Sequence, residues 1–305
     1  MPPVFILHLT GRIMEKLIIE ARVNEYAMRK RNPHVPWTSE EIARDSVACR
    51  EAGASIVHFH AREENGAPCH DAARYSDTIA RVHDVCDLLV HPTLGANTLA
   101  TSKEGRLAHV LAMAKDKRTR PDFAPMDMGS TNIDAYDPVA RKYITNDQMY
   151  LNSTDTLMYF AKEIRAAGLK PCAVAWNISY LREALIFHEM GLLDEPIYMG
   201  LTLTEGMISA GHPATPAGLD AFLNVMPKDV QIVWTVYNYG GNLLNLADKI
   251  IGAGGHVAVG LGDHPYTELG APTNAELIAK FADIARKHGR GVATPAETRA
   301  ILRMS

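Results

Sequence analysis

The sequence predicts a single α/β domain with the architecture of a (β/α)8 TIM barrel. Short apolar runs alternate along the chain with longer amphipathic segments, and eight such runs can be counted. Strands that alternate with helices form a parallel sheet, and eight parallel strands are the number that closes a barrel. A chain of 305 residues with 47% hydrophobic content can bury a core of that size. A doubly wound open sheet is the alternative fold, although no G-x-G-x-x-G follows the first strand.

The strands are assigned to the apolar runs, and the helices between them begin at polar capping residues and end near glycines. One helix begins at Ser39 and is closed by Gly53, and another is opened by Ser102. Two more cover residues 154–167 and 274–287, and a glycine follows each of them. The eight predicted strands lie within residues 17–24, 55–60, 88–92, 122–127, 171–176, 197–202, 230–236 and 256–261.

The barrel domain is predicted to cover residues 16–305, and residues 1–15 form an extension in front of it. Met14 comes directly before the first apolar run, so it could be the biological start. Residues 1–13 could instead form an edge strand or one arm of a short hairpin. The sequence is consistent with both interpretations.

Charge and composition exclude several classes of partner. The net charge is −4, and the 31 basic and 35 acidic residues are well mixed, which gives no field suited to nucleic acid or an anionic membrane. A small-molecule substrate is favoured by elimination. No apolar run reaches the ~20 residues that cross a bilayer and no convincing signal peptide is found, so we expect a cytoplasmic protein. The four cysteines show no C-x-x-C spacing, so free thiols are expected.

Two histidines lie two residues apart in the second predicted strand. In a strand, residues i and i+2 point to the same face, so His58 and His60 project side by side while Val57 and Phe59 pack on the other face. Such a pair can offer two ligands to one divalent metal, and zinc, nickel and iron(II) would all accept it. Two satisfied core histidines are the alternative.

The first strand alternates polar and apolar residues. Glu20, Arg22 and Asn24 occupy one face, and helices cover the outside of a barrel, so this polar set should point inward. A buried charge without a partner costs several kcal/mol, so these groups must pair with each other, with a metal or with a substrate. A self-contained ion pair between Glu20 and Arg22 is the alternative.

Polar residues also follow the third and eighth strands, at the barrel end where active sites lie. Thr93 and Gly95 come after the third strand, where a hydroxyl and a small residue could let a substrate approach the backbone. A plain turn explains them nearly as well. Asp263 and His264 follow the eighth strand and should lie close to the first two strands in a closed barrel. His256 lies at the opposite end and is expected to be structural.

Together these segments resemble the β-keto acid cleavage enzymes, and the resemblance covers nearly the whole chain from Lys16. It is carried by Pro36-Trp37-Thr38-Ser39-Glu40-Glu41-Ile42, by Glu51-Ala52-Gly53-Ala54 leading into His58-Phe59-His60-Ala61-Arg62, by Gly129-Ser130-Thr131-Asn132, by Gly254-Gly255-His256-Val257, by Asn274-Ala275-Glu276-Leu277 and by Ala293-Thr294-Pro295-Ala296-Glu297. The resemblance implies a zinc-dependent (β/α)8 barrel, usually a homotetramer. Its members condense a β-keto acid with acetyl-CoA and release acetoacetate and a new CoA ester.

The resemblance also implies roles for individual residues. His58 and His60 match the two histidine zinc ligands of the family. Thr93 occupies the position of a serine that contacts the substrate, and Asp263 matches an acidic residue near the catalytic centre. We assign proton handling to Asp263, acting directly or through a neighbouring polar group. The remaining substrate-binding candidates are Asn24, Arg62 and Gly95.

Two positions depart from the family pattern. The last strand of the family usually supplies a substrate-orienting arginine and a glutamate ligand, and these places hold Ala258 and Gly262 here. We expect Arg22 to replace the arginine, and Glu20 or His264 to complete the metal site. Because of these changes, a metal-dependent lyase or hydrolase that acts on a keto acid without CoA remains an alternative, as does a catalytically silent barrel that binds a metabolite. The sequence does not identify the β-keto acid.

Two expectations concern the surface. The basic residues 29–31 or 115–120 could meet the phosphates of CoA, although such stretches are more often solvated surface. The C-terminal helix predicted over residues 296–304 carries Ala300, Ile301 and Met304, which could dock on its own barrel or on a neighbouring subunit.

Overall fold

Each of the eight predicted apolar runs overlaps a strand of one parallel barrel, and the fifth, sixth and seventh strands extend beyond the predicted limits. The computed structural model describes residues 15–94 and 101–304. Its strands are β1 (Ile19–Arg22), β2 (Ile56–Phe59), β3 (Leu89–Pro92), β4 (Phe123–Asp127), β5 (Lys170–Ala175), β6 (Ile197–Thr204), β7 (Ile232–Tyr239) and β8 (His256–Val259). Neighbouring strands follow the order β3-β2-β1-β8-β7-β6-β5-β4, and the backbone N–H of Asp122 donates to Val90 O (2.9 Å) between β3 and β4. The nearly closed barrel confirms the predicted fold and excludes the open sheet.

Helices follow the strands and cover the outside of the barrel. The four interior helices predicted from capping residues are present, although the N-cap of the first is Thr38, which forms a capping box with Glu41. The C-terminal helix begins at Pro295, capped by Thr294, and ends at Ile301, three residues earlier than predicted. The helices are α1 (Ser39–Ala52), α2 (Ala72–Val85), α3 (Lys103–Met113), α4 (Thr154–Ala166), α5 (Ile178–Glu189), α6 (Pro216–Leu223), α7 (Ala247–Gly252), α8 (Asn274–Lys287) and α9 (Pro295–Ile301).

The strand register brings polar side chains of three neighbouring strands to one level. Arg22 in β1 pairs with His58 in β2, and His58 pairs with His91 in β3. On the other side of β1, Glu20 pairs with Ala258 in β8. Because paired residues of a parallel sheet point to the same face, all these side chains enter the barrel interior. The predicted inward direction of Glu20 and Arg22 is confirmed.

Two apolar clusters hold the barrel together. The larger lies between the strands and the helices, and it contains Val57 and Phe59, as expected from their strand positions. The smaller lies inside the barrel at the amino ends of the strands. Helix α9 closes this end, because the fully buried Leu302 and the partly buried Ile301 and Met304 belong to the inner cluster. The C-terminal helix was expected to dock either on its own barrel or on a neighbouring subunit. In the structure it packs on its own barrel.

An insertion between β4 and α4 reaches over the mouth of the barrel. It contains two short antiparallel ladders, Thr131–Asn132 with Met149–Tyr150 and Tyr136–Asp137 with Lys142–Tyr143. The four cysteines all lie within the described residues and are free thiols, as predicted. None of the helices within residues 15–94 and 101–304 has both the length and the apolar character that a bilayer span requires.

Candidate active site

A cavity of about 150 Å³ lies at the carboxyl ends of the strands, where the sequence places the active site. Five of the predicted site residues line it, namely Glu20, Arg22, His58, His60 and Thr93. All five are buried. Gly95, the other residue predicted to contact the substrate after the third strand, lies outside the described residues.

The two histidines of β2 converge on one carboxylate. His58 Nε2 lies 2.9 Å from Glu25 Oε1, and His60 Nε2 lies 2.6 Å from Glu25 Oε2. Burial lowers the pKa of His58 to about 4, although Glu25 acts in the opposite direction. Burial would raise the pKa of Glu25, but Arg22 and the two histidines hold it well below the usual value. The neutral imidazole of His58 and the ionised carboxylate of Glu25 are the protonation states that a divalent metal requires of its ligands.

A second group shares His58 and lies deeper in the barrel. Glu20 Oε1 is 3.1 Å from His91 Nδ1, and the hydroxyl of Tyr198 donates to Glu20 Oε2 at 2.9 Å. Burial opposes ionisation of Glu20, but His91 and then His58 and Arg22 lower its pKa to about 2. Glu20, His58 and His91 could also hold a metal. Sequence reasoning missed His91, although its place opposite His58 in the next strand was a usable signal.

Arg22 lies among three carboxylates. Its Nε donates to Asp263 Oδ2 at 2.8 Å, and its Nη2 is 2.7 Å from Glu25 Oε1. Its Nη1 is 3.9 Å from Glu20, and its guanidinium carbon stands 4.1 Å from the centre of the Tyr237 ring. The alternative of a self-contained pair with Glu20 is therefore wrong, because Asp263 and Glu25 are the closer partners. Burial raises the pKa of Asp263 to about 7 despite the opposing effect of Arg22.

Two predicted substrate-binding residues form hydrogen bonds to the backbone and do not line the cavity. The amide of Asn24 donates to Pro36 O and His60 O and accepts from the N–H of His60. Arg62 donates to the carbonyls of Glu25 (2.6 Å) and Ala27 (3.0 Å) in the loop after β1. Both side chains are buried, and neither lines the cavity. The structure thus places them where they fix the loop that carries Glu25.

His264 does not reach the metal-binding groups. Its Nε2 lies 3.0 Å from Glu268 Oε1, four residues further along, and it belongs to neither cluster of potential ligands among the described residues. Of the two residues that the sequence offered for completing the metal site, Glu20 belongs to one of these groups and His264 does not. Asp263 is buried beside Arg22 and also stays behind the cavity wall.

The opposite wall of the cavity carries a third carboxylate that the sequence had not assigned to the site. Trp176 Nε1 donates to Asp127 Oδ1 at 2.6 Å, and the hydroxyl of Tyr150 donates to Asp127 Oδ2 at 2.8 Å. Burial raises the pKa of Asp127, and these two hydrogen bonds oppose the shift. Tyr150 comes from the insertion after β4, so no strand pattern could have placed it there.

The two basic stretches considered for CoA differ in position. Residues 115–120 precede β4 and therefore lie at the amino ends of the strands, away from the cavity. In the other stretch, Arg29 is paired with Glu41 and stacks on Trp37. Only residues 29–31 are at the end of the barrel where the cavity opens.

Known proteins are similar to this chain in sequence or in fold. A model of the β-keto acid cleavage enzyme family matches residues 16–304. A 3-keto-5-aminohexanoate cleavage enzyme from Acetoanaerobium sticklandii is 31% identical over 296 residues, which cover 96% of this chain and 100% of that protein. A 3-oxoadipate:acetyl-CoA acetyltransferase from Cupriavidus necator is 26% identical over 290 residues, which cover 93% and 94% of the two chains.

The solved structures that this chain resembles share its fold at low identity. The chain superposes on ObcA in its apo form with a TM-score of 0.68 at 14% identity. The match covers 89% of this chain and 66% of ObcA, just under two thirds of that protein. It supports the barrel architecture alone.

Proposed function

Because the chain belongs to the β-keto acid cleavage enzyme family, we propose that it condenses a β-keto acid with acetyl-CoA and releases acetoacetate and a new CoA ester. We further propose that the reaction depends on a divalent metal, most simply zinc. The names of relatives support acetyl-CoA as the co-substrate, since the Cupriavidus necator protein is called an acetyl-CoA acetyltransferase. The identity of the β-keto acid is left to experiment.

The observation that carries the proposal is the pair of imidazoles of His58 and His60 that face one carboxylate inside the cavity. The charges around the cavity favour a cation. Arg22 is the one guanidinium or ammonium group among its described lining residues, and it faces Glu20, Glu25 and Asp263. A metal bound by the histidines would act as a Lewis acid toward the keto carbonyl and the enolate formed from it.

The other side chains are given roles from their positions. Arg22 would orient the carboxylate of the keto acid. Its Nη1 is 3.9 Å from Glu20 Oε1, which is too far for a hydrogen bond, so the N–H groups of Nη1 can donate to the substrate. Thr93, on the cavity wall, would contact the substrate. Asp263 would exchange the proton of the α-carbon through a neighbouring polar group, since it lies behind Arg22 and has a pKa of about 7. Asn24 and Arg62 would position the loop after β1.

A screen of purified protein tests this proposal. Metal content is measured first, and β-keto acids are then supplied with and without acetyl-CoA while acetoacetate and CoA esters are followed by mass spectrometry. We expect both products only when both substrates and the metal are present. Turnover without acetyl-CoA would favour the lyase or hydrolase. A folded, metal-free protein without turnover would favour the metabolite-binding barrel.

The assembly is part of the same proposal. We propose a homotetramer, in line with the family resemblance. Light scattering at micromolar concentration should then give four times the chain mass of 33.5 kDa. The apolar end of α9 packs on its own barrel, so other surfaces would form the contacts. A mass of one chain would contradict the proposal.

A further inference from the structure

We propose that Glu25, from the loop after β1, is the third protein ligand of the metal beside His58 and His60, and that Gly262 keeps the space that its side chain needs. This inference rests on the proposed metal dependence and goes further by choosing one carboxylate. Two groups of ligands are possible among the described residues, one with Glu25 and one with Glu20. They share His58, so the choice decides where the substrate carbonyl must lie.

The contacts favour Glu25. Its two oxygens face the Nε2 atoms of His58 and His60 at 2.9 and 2.6 Å, so three potential ligand residues surround one small space. Oε1 of Glu25 is buried beside Arg22 Nη2 and His58 Nε2, but among the described residues it makes no hydrogen bond of good geometry. A bound ion would complete the contacts of such a buried oxygen.

Glu20 is already engaged in another way. The hydroxyl of Tyr198 donates to one of its oxygens, and His91 Nδ1 lies 3.1 Å from the other. Both oxygens of Glu20 thus already have a hydrogen bond of good geometry, whereas Oε1 of Glu25 has none among the described residues. The geometry therefore points to Glu20 as a residue that holds His91, and to Glu25 as the ligand.

The backbone at Glu25 is held in a conformation that a residue with a side chain rarely adopts. Its φ is 38°, in the left-handed region. Arg62 holds the loop there, because its guanidinium donates to the carbonyls of Glu25 and Ala27. Backbone strain maintained by a buried arginine is typical of a site where a side chain must be placed accurately.

Gly262 supplies the space on the other side. A Cβ atom at this position would lie 2.5 Å from Glu25 Cγ, 2.7 Å from Glu25 N and 3.0 Å from Arg22 O. Gly262 is not among the glycines with positive φ, so its backbone conformation does not require glycine. Glycine is required here because Glu25 approaches so closely. Any side chain at position 262 must displace the loop that carries the proposed ligand.

Zinc titration of the metal-free protein tests the inference without any measurement of turnover. Competition with a chromophoric chelator gives the zinc affinity of the wild type and of four variants, E25Q, E20Q, G262A and G252A. We expect E25Q to weaken zinc binding at least 100-fold and G262A at least 10-fold, while E20Q changes it less than 10-fold. G252A is the matched control, because a Cβ there comes no closer than 3.4 Å to the His288 side chain.

The opposite pattern would overturn the inference. If E25Q binds zinc like the wild type, or if E20Q loses more affinity than E25Q, Glu25 is not the ligand. Wild-type affinity in G262A would overturn the role of Gly262. Circular dichroism confirms that each variant is folded. If E25Q is not, E25D replaces it, with a loss of at least 10-fold expected because its shorter side chain retains the carboxylate. Zinc binding in this pattern without turnover would leave the inference standing while the proposed function fails.

Discussion

Arg22 shows how much a single residue in the cavity depends on its neighbours. Polar and apolar residues alternate in β1, which predicts that the side chain of Arg22 points into the barrel, and the structure confirms this. Its partners could not be predicted, because Asp263 follows β8 and Glu25 follows a bend after β1. One guanidinium among three carboxylates leaves excess negative charge, which is the condition that attracts a divalent cation.

Removal of the histidine pair should remove the metal. The double variant H58A/H60A is expected to contain no stoichiometric zinc by elemental analysis, because the proposed site then keeps only a carboxylate. Circular dichroism should show a folded barrel. H264A serves as the control and should retain metal, since His264 is paired with Glu268 instead. Full metal content in the double variant would contradict the assignment of His58 and His60.

Arg22→Ala should reduce kcat/KM by roughly 30-fold to several thousand-fold while zinc remains bound. The loss of a buried charge-assisted pair with the substrate carboxylate costs about 2 to 5 kcal/mol, which corresponds to this range. Steady-state kinetics and elemental analysis check it. If Arg22 only neutralises Asp263, the variant R22M/D263N would restore stability with substrate affinity intact, and the assignment would fail.

His256 predicts a pH dependence of stability at the opposite end of the barrel. Its Nδ1 accepts from the N–H of Ile18, and burial lowers its pKa from 6.5 to about 3. Below pH 6.5 the unfolded chain binds a proton that the folded chain does not, so stability falls as pH is lowered. Between pH 7 and pH 5 this group should cost about 2 kcal/mol.

The measurement is the free energy of unfolding in urea at pH 7 and pH 5 for the wild type and H256N. Asparagine can keep the acceptor for Ile18 but does not titrate in this range. The pH-dependent loss should be smaller in H256N by about 2 kcal/mol. An equal loss in both proteins would show that His256 is not responsible.

At the scale of single elements, the strands were easier to predict than the contacts between them. Alternation identified the inward faces of β1 and β2, and capping residues located α1, α3, α4 and α8. The sequence did not identify Glu25 as a neighbour of His58 and His60. The position of the Glu25 side chain depends on the loop after β1, in which Glu25 itself has a positive φ. Sequence reasoning also assigned Asn24 and Arg62 to the substrate, since a buried polar residue looks the same in sequence whether it holds a ligand or a backbone carbonyl.

Helix α9 closes one end of the barrel, so a truncated side chain at its end should lower the stability of the protein. Leu302, at its end, is fully buried in the inner cluster of the barrel. Leu302→Ala should lower the free energy of unfolding by about 2 to 5 kcal/mol, because it leaves a cavity in a packed core. Urea denaturation measures this, and A300S is the control because Ala300 is exposed. Zinc content should not change, and a loss of less than 1 kcal/mol would contradict the role of Leu302.

At the scale of the whole molecule, the eight alternating runs were sufficient to predict the barrel, because few architectures bury eight parallel strands between helices. They could not predict the insertion after β4, whose short ladders have too few residues for a period-2 pattern. That insertion brings Tyr150 to Asp127 and so forms part of the cavity wall.

The packed interior at the amino ends of the strands also has a kinetic consequence. Helix α9 and the inner cluster fill that end of the barrel, so within residues 15–94 and 101–304 the cavity is entered from the mouth. In the proposed reaction, the small keto acid must pass to the bottom before the much longer CoA ester occupies that passage. The new CoA ester must then leave before acetoacetate can follow. A compulsory order of binding and release is therefore expected, and the product-inhibition patterns measured with each substrate varied in turn would reveal it.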